Sequence, residues 1–170
     1  GVTSFMEMPN TVPNALTQDL LEEKYQIGAA TSLANYSFYM GTSNNNADEV
    51  LRTNEKKESV CGVKIFLGAS TGNMLVDNCL TVNRIFSESE MLITLHCEEE
   101  PIIKANYARL KAEKPELEPA DHPIIRDVDA CFESFVQSSA VGYAARYPPA
   151  CAAYYHCPGV NVVYQHAATG

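Results

Sequence analysis

Short apolar segments alternate with longer amphipathic ones along residues 1–96, and this order restricts the fold of the chain more than any other feature. Between the apolar segments, hydrophobic residues recur at helical spacing, so the pattern is β-α-β-α-β-α-β. Strands that are almost continuously apolar are buried on both faces, which requires a mostly parallel sheet covered by helices. An α/β fold follows. The predicted strands are Gly1–Met8, Ser32–Tyr39, Val63–Leu67 and Met91–Leu95.

Capping signals place the helices between these strands. Thr17 can cap the first helix, and Asn46 with Glu49 forms a capping-box pattern before the second. After a proline-rich loop, Asp121 can cap one long helix with Pro123 in its first turn. The residues expected on its apolar face are Ile124, Ile125, Val128, Phe132, Phe135, Val136, Ser139 and Tyr143.

Composition excludes several classes of protein. The 170 residues are 46% hydrophobic, too apolar for a disordered chain. Twelve basic against 21 acidic residues give a net charge of −9, which argues against a nucleic acid partner. No segment approaches the roughly 18–20 apolar residues of a membrane-spanning helix. We therefore expect a soluble, cytoplasmic protein whose six cysteines are reduced and mostly buried.

Polar residues follow the predicted strands, at the sheet edge where α/β proteins build their sites. Asn10 and Thr11 follow the first strand and could hold a carboxylate or an imide, although turn chemistry explains them equally. The run 44–46 and residues 70–73 occupy the corresponding positions after the second and third strands. Gly68–Gly72 lacks the Gly-Lys-Ser/Thr ending of a phosphate-binding loop, so nucleotide binding there is rejected.

Lys64 is the most unusual residue of the apolar strands, because Cys61–Leu67 offers no acidic partner for its charge. Three interpretations are open. The strand lies at an edge and the amine reaches water, burial deprotonates the lysine, or the amine is converted to a carbamate that bridges metal ions. Lysine commonly extends its amine out of apolar surroundings, so the strand alone favours the edge position.

His96 ends the fourth predicted strand and is followed by Cys97 and three glutamates, beginning with Glu98. A neutral imidazole in this position suits a divalent metal, and nearby carboxylates could orient it. A partly buried histidine bonded to a backbone carbonyl is the alternative. Together, Lys64 and His96 would converge on one loop face, where a catalytic metal needs open coordination.

Four motifs, taken in order, resemble dihydroorotase of the cyclic amidohydrolase family. They are residues 1–11 (GVTSFMEMPNT), 62–68 (GVKIFLG), 95–98 (LHCE) and 122–127 (HPIIRD). The resemblance extends from residue 1 to about residue 147. It implies a (β/α)8 TIM barrel zinc enzyme that interconverts dihydroorotate and carbamoyl aspartate in pyrimidine biosynthesis. It also implies that Lys64 is a carboxylated lysine bridging two zinc ions, His96 a zinc ligand, and Asn10 a contact to the substrate carboxylate.

Parts of the family pattern are missing from this sequence. The His-x-His pair with its arginine, expected before Gly1, is not present, and neither is the late aspartate that moves protons. A (β/α)8 barrel takes about 250 residues or more. We therefore expect residues 1–147 to form a partial barrel, an internal fragment with an upstream segment removed. With at most two zinc ligands, the chain alone should show little activity, and its open strand edges should favour association, including homo-oligomers.

Residues 148–170 do not resemble the family where a fifth, histidine-bearing strand is expected. Read one base out of frame, permitted codons spell Arg-Leu-His-Val-Leu-His-Ile-Thr-Thr-Ala-Arg-Glu-Leu, which does resemble that strand. We hypothesise a one-base frame error near Tyr147, which the nucleotide sequence tests. A zinc site formed by Cys151, His156, Cys157 and His166 is rejected, because the spacing fits no zinc finger.

Two other functions stay open. The parent protein could be another cyclic amidohydrolase, of the allantoinase or hydantoinase type, acting on a different small-molecule substrate. It could instead be a non-catalytic amidohydrolase-like partner that uses the barrel for assembly. The retention of Lys64 and His96 argues against the second of these, and Met8–Thr11 favours dihydroorotase over its relatives only mildly.

Overall fold

The computed structural model describes residues 1–68, 72–114, 116–144 and 151–153, of which 139–144 and 151–153 are described by their backbone alone. The strands and helices alternate as the sequence predicts. The strands are β1 (Ser4–Glu7), β2 (Asn35–Gly41), β3 (Gly62–Phe66), β4 (Ile93–His96) and β5 (Cys151–Ala153). The helices are α1 (Gln18–Thr31), α2 (Ala47–Arg52), α3 (Cys79–Glu88), α4 (Glu100–Glu113), α5 (His122–Ile125) and α6 (Val128–Ala144), with short 3-10 turns at Thr53–Lys56 and Pro119–Asp121.

The five strands form one sheet in sequence order, and each neighbouring pair is parallel. This confirms the prediction of a parallel α/β sheet. β3 and β4 lie inside the sheet, so each has a hydrogen-bonded strand on both sides. β5 belongs to the segment 148–170, the rest of which lies outside the described residues, so the frame-error hypothesis stays a prediction.

The core lies between one face of the sheet and the helices. Alternate residues of β3, Val63 and Ile65, pack into it with Ile93 and Leu95 of β4. α3 covers them with its apolar face, whose buried side chains include Val82, Ile85 and Phe86. Leu80, also in α3, is 75% exposed. β1 departs from its prediction as a buried strand, because its four residues are exposed and, within the described residues, β2 is its only neighbouring strand.

The two predicted helix caps have different outcomes. Thr17 caps α1, because its Oγ1 accepts a hydrogen bond from the Leu20 amide at 3.2 Å. The capping box before α2 is wrong. The side-chain oxygen Oδ1 of Asn46 instead accepts a hydrogen bond from the Ser43 backbone amide at 2.7 Å, and Oε2 of Glu49 accepts one from the Gln18 backbone amide, also at 2.7 Å. Both side chains thus join α2 to neighbouring segments, because the Ser43 and Gln18 amides compete with the amides of the first turn of α2 for these acceptors.

The single long helix predicted from Asp121 is also wrong. The chain instead forms a 3-10 turn and α5, breaks at Arg126 and Asp127, and begins again as α6. Asp127 accepts a hydrogen bond from the Ala130 amide at 2.9 Å, which supports the start of α6. The predicted apolar face is largely turned outward, because smaller residues pack inward. The exposed residues are Ile124, Val128, Phe132 and Val136, and the buried ones are Ala130, Cys131, Ser134 and Ser138.

Two smaller expectations concern cysteines and membranes. The cysteines at 61, 79, 97 and 131 are free thiols; Cys97 and Cys131 are buried as expected, whereas Cys79 is exposed. Within the described residues, no helix combines the length and the apolar character needed to cross a bilayer.

Candidate functional site

Lys64 lies in the middle of β3 and is only 4% exposed. Because β2 and β4 flank this strand, the edge-strand interpretation favoured by the sequence is wrong. No carboxylate pairs with the amine within the described part of the chain, and Nζ instead lies 4.8 Å from the centre of the Phe66 ring. Burial lowers the pKa of Lys64 from 10.5 to about 8, and this outweighs the opposing effect of the nearby Cys97. The site therefore contains a lysine that is easily deprotonated.

The register of β3 and β4 places Lys64 and His96 on one face of the sheet. Lys64 is paired with Thr94, and Phe66 with His96, so all four side chains project from the same side. The rings of Phe66 and His96 are 5.9 Å apart, centre to centre, which is consistent with this arrangement. Val63 and Ile65, which alternate with Lys64 and Phe66 along β3, pack into the helix-covered core on the other face. The amine and the imidazole therefore share the face opposite the core.

The His96 ring is held by a carboxylate rather than by the backbone carbonyl considered above. Its Nε2 lies 2.7 Å from Oε2 of Glu98, and Arg126 donates to the same oxygen. Burial raises the pKa of Glu98, but the hydrogen bonds from His96 and Arg126 outweigh this and leave it below its usual value. Glu98 is thus a partly buried carboxylate shared by two donors.

Thr94 adds an unsatisfied hydroxyl to the same face. The residue is fully buried, directly opposite Lys64 in the strand register, and its Oγ1 has no hydrogen-bond partner among the residues that the structure describes. A buried donor without an acceptor costs about 1–3 kcal/mol, so such groups in native proteins call for an explanation. Thr42 directly follows β2, and its hydroxyl donates a hydrogen bond to the Lys64 backbone carbonyl at 2.8 Å. This bond fixes the backbone of β3 at Lys64.

Asn10 is not brought together with the other two predicted site residues. It is exposed, follows the outermost strand β1, and makes no side-chain hydrogen bond within the described residues. β2 separates its strand from β3. Thr11 stabilises the turn after β1, since its hydroxyl donates a hydrogen bond to the Pro13 carbonyl at 2.9 Å. Asn10 therefore shares only the C-terminal edge of the sheet with Lys64 and His96.

The other polar loops have structural roles or lie outside the described residues. The side-chain oxygen Oδ1 of Asn44 accepts hydrogen bonds from the backbone amides of Asp77 and Asn78, at 3.2 and 3.0 Å. It thereby joins the loop after β2 to the start of α3. Residues 69–71, in the loop after β3, are not described.

Sequence reasoning missed Phe66, Thr94 and Arg126. Strand alternation could have identified the first two, because residues two apart along one strand lie on the same face of the sheet. Phe66 is two residues after Lys64, and Thr94 is two residues before His96. Arg126 lies inside the motif at 122–127, but its approach to Glu98 depends on the break between α5 and α6.

A cleft of about 790 Å³ lies beside Arg126, between α3, α4 and α6. Its lining includes Val82, Lys104 and Ser138 but neither Lys64 nor His96. Within the part of the chain that is described, no group of three or more His, Cys, Asp or Glu side chains could hold a metal ion. Lys64 and His96 would therefore supply only part of a metal site.

No family model and no curated protein matches the chain. It is similar to the solved structure of L-hydantoinase (dihydropyrimidinase) from Arthrobacter aurescens, with a TM-score of 0.78 and 24% identity over 90% of this chain and 33% of that one. A D-hydantoinase gives 0.72 and 13% over 89% and 33%, and dihydropyrimidinase from Brevibacillus agri gives 0.66 and 21% over 84% and 32%. At these identities the likeness shows the fold. The prediction of a partial (β/α)8 barrel is confirmed, and the chain spans about a third of the length of these proteins.

Proposed function

We propose that this chain is part of a metal-dependent cyclic amidohydrolase, and specifically of a dihydroorotase that reversibly hydrolyses dihydroorotate to carbamoyl aspartate. The observation that carries the proposal is the placement of the buried Lys64 amine and the His96 imidazole on one face of a parallel sheet, near the ends of adjacent strands. The four motifs that resemble dihydroorotase support the choice of substrate.

The described residues fit a carbamate at Lys64. The neutral amine nitrogen would attack the carbon of CO2 and form an N–C bond, while one C=O π bond opens to a carboxylate oxygen and one N–H proton is released. Counted from the ammonium, two protons leave and a buried cation becomes an anion. That change removes the cost of an unpaired buried ammonium and gives the Thr94 hydroxyl an acceptor within the same face. The orphaned hydroxyl is therefore the structural feature that argues for a modified lysine.

Zinc is the metal that the motif resemblance implies. The Lys64 carbamate and a nitrogen of His96 would hold it, together with ligands that the present sequence does not contain. Bound there, two zinc ions would supply Lewis acidity to polarise the ring amide and to lower the pKa of water. The protein's own contribution is to fix the ligands and to exclude water with the buried part of this face, around Lys64 and Thr94.

Asn10 is the proposed contact to the substrate carboxylate. Its amide is exposed after β1, and it has no side-chain partner among the described residues, so its donors are free for a ligand. Because it lies across β2 from Lys64, it suits a group remote from the hydrolysed bond.

A hydantoinase-type enzyme is the second candidate, because the solved structures described above bear the names hydantoinase and dihydropyrimidinase. Both candidates hydrolyse a cyclic amide, and they differ in whether the substrate carries a carboxylate. A longer protein that contains this chain and the missing histidine pair should therefore be assayed with dihydroorotate and with a hydantoin. Preference for the hydantoin would contradict the dihydroorotase proposal.

The carbamate can be tested on the 170-residue chain itself. Carbon-13 NMR of the chain in ¹³C-labelled bicarbonate should show a carbamate signal that is absent from Lys64→Met. Lys104→Met, which alters an exposed lysine, is the matched control and should keep the signal. A wild-type chain without the signal would count against the modified lysine. Turnover by the chain alone should be close to background, and measurable hydrolysis would contradict that expectation.

A further inference from the structure

Glu98 and Arg126 form an ion pair, and the Glu98 carboxylate of this pair contacts His96. Arg126 has only donors, so the oxygen Oε2 that it contacts accepts its N–H. The same oxygen lies 2.7 Å from Nε2 of His96, and an ionised carboxylate can only accept there as well. Nε2 must therefore carry the proton. In a neutral imidazole with that tautomer, Nδ1 is the nitrogen with a free lone pair.

We propose that Glu98 and Arg126 act as a positioning pair that holds His96 in the Nε2–H tautomer, so that Nδ1 is the nitrogen presented to a metal. This deepens the proposed function and rests on it for the metal alone. Among the described residues, Nδ1 of His96 has no hydrogen-bond partner. Histidines that bind metals almost always donate their other ring N–H to a carboxylate, a backbone carbonyl or water.

The pair is built into the fold rather than free on the surface. Arg126 lies in the break between α5 and α6. Asn106 of α4 forms hydrogen bonds with the residues on both sides of Arg126. Its Nδ2 donates to the Ile125 carbonyl at 3.3 Å and to Oδ2 of Asp127 at 2.8 Å. In addition, the Glu99 amide donates to the Ala130 carbonyl at 2.9 Å, which joins the start of α6 to the residue after Glu98.

Close packing also fixes the backbone of Glu98. A Cβ added to Gly68 would lie 2.2 Å from the Glu98 carbonyl oxygen, far inside van der Waals contact. The loop after β3 therefore needs glycine here, and the loop after β4 has no room to shift toward it. The Glu98 and Arg126 side chains are 14% and 30% exposed, which limits the access of water that would weaken their ion pair.

The test is nitrogen-15 NMR of the histidine rings in the metal-free chain, with His96 assigned from His96→Gln. The wild-type ring should be fixed as the Nε2–H tautomer, whereas exposed His122 should average both forms. Glu98→Gln should produce a mixture of the two tautomers at His96. Arg126→Met should change the tautomer populations in the same direction, but by less. Glu100→Gln, whose carboxylate pairs with Lys104, is the matched control and should leave His96 unchanged.

An Nδ1–H tautomer in the wild-type protein, or a tautomer unaffected by Glu98→Gln in a folded variant, would overturn the proposal. The wild-type measurement decides this even where a variant does not fold. Added zinc should then move the Nδ1 resonance and leave Nε2 protonated, with about 10-fold weaker binding in Glu98→Gln. Movement of Nε2 instead would also overturn the role of the pair. If zinc moves neither nitrogen, the presentation of Nδ1 to a metal is overturned, while the tautomer measurement still decides the role of Glu98. The proposed function is decided separately, by the hydrolysis assay of the longer protein.

Discussion

The Nζ atom of Lys64 lies 4.8 Å from the centre of the Phe66 ring, on the same face of β3. The ring's negative face attracts a cation, but it cannot replace the water that burial removes. The charged form of this lysine is therefore the costly one, and the free energy of unfolding should depend on pH through it.

Stability should rise with pH above about 8 because of Lys64. Its pKa falls from 10.5 to about 8 on folding, so between these values the unfolded chain binds more protons than the folded one. The free energy of unfolding should increase by about 1 kcal/mol from pH 7 to pH 9 in CO2-free buffer. Burial raises the pKa of Cys97 to about 11, and this acts in the opposite direction above pH 9, which sets the upper limit of the window.

Urea unfolding of the wild type and of Lys64→Met would check the pH prediction. The variant should be more stable at pH 7, by at most about 3 kcal/mol, and should lose the rise between pH 7 and pH 9. An unchanged slope in Lys64→Met would assign the rise to another group.

Replacing Thr94 by valine should remove an unsatisfied hydroxyl while keeping the shape of the side chain. In CO2-free buffer we expect the free energy of unfolding to stay constant or to increase by about 1 kcal/mol. In ¹³C-labelled bicarbonate the same variant should show a weaker carbamate signal, because the modified lysine loses a donor. Thr3→Val, on an exposed position before β1, serves as the control for both measurements. A clear loss of stability in CO2-free buffer would indicate that the hydroxyl is satisfied.

Asn44→Ala should destabilise the protein by about 1–2 kcal/mol. The substitution leaves the amides of Asp77 and Asn78 without their acceptor and detaches the start of α3 from the loop after β2. Asn45→Ala is a matched control, because the neighbouring side chain is exposed and makes no hydrogen bond within the described residues. Equal denaturation midpoints for the two variants would contradict the role given to Asn44.

Phe132→Gln should leave the free energy of unfolding within about 0.5 kcal/mol of the wild type, because the ring is 61% exposed on α6. It should also reduce concentration-dependent association, since Phe132 lies between the exposed side chains of Val128 and Val136. Sedimentation velocity at several concentrations measures this. Ser134→Gln, at a buried position on the opposite face of the helix, should instead lower stability through overpacking.

The sequence was sufficient to predict the alternation of strands and helices, the cap at Thr17 and the parallel sheet, because these depend on local periodicity and on short-range hydrogen bonds. It also selected Lys64 and His96 as residues in unusual places. It could not decide whether Lys64 reaches water, because that depends on which strands flank β3.

The surroundings of those two residues come instead from tertiary packing. The pairing of β3 with β4 set Lys64 opposite Thr94 and Phe66 opposite His96. The break before α6 brought Arg126 to Glu98, 28 residues away in the chain. A strand pattern specifies that alternate residues share a face, but the partner strand and its register come from packing between segments far apart in sequence. The chemistry of the candidate site is therefore set by contacts that no local pattern contains.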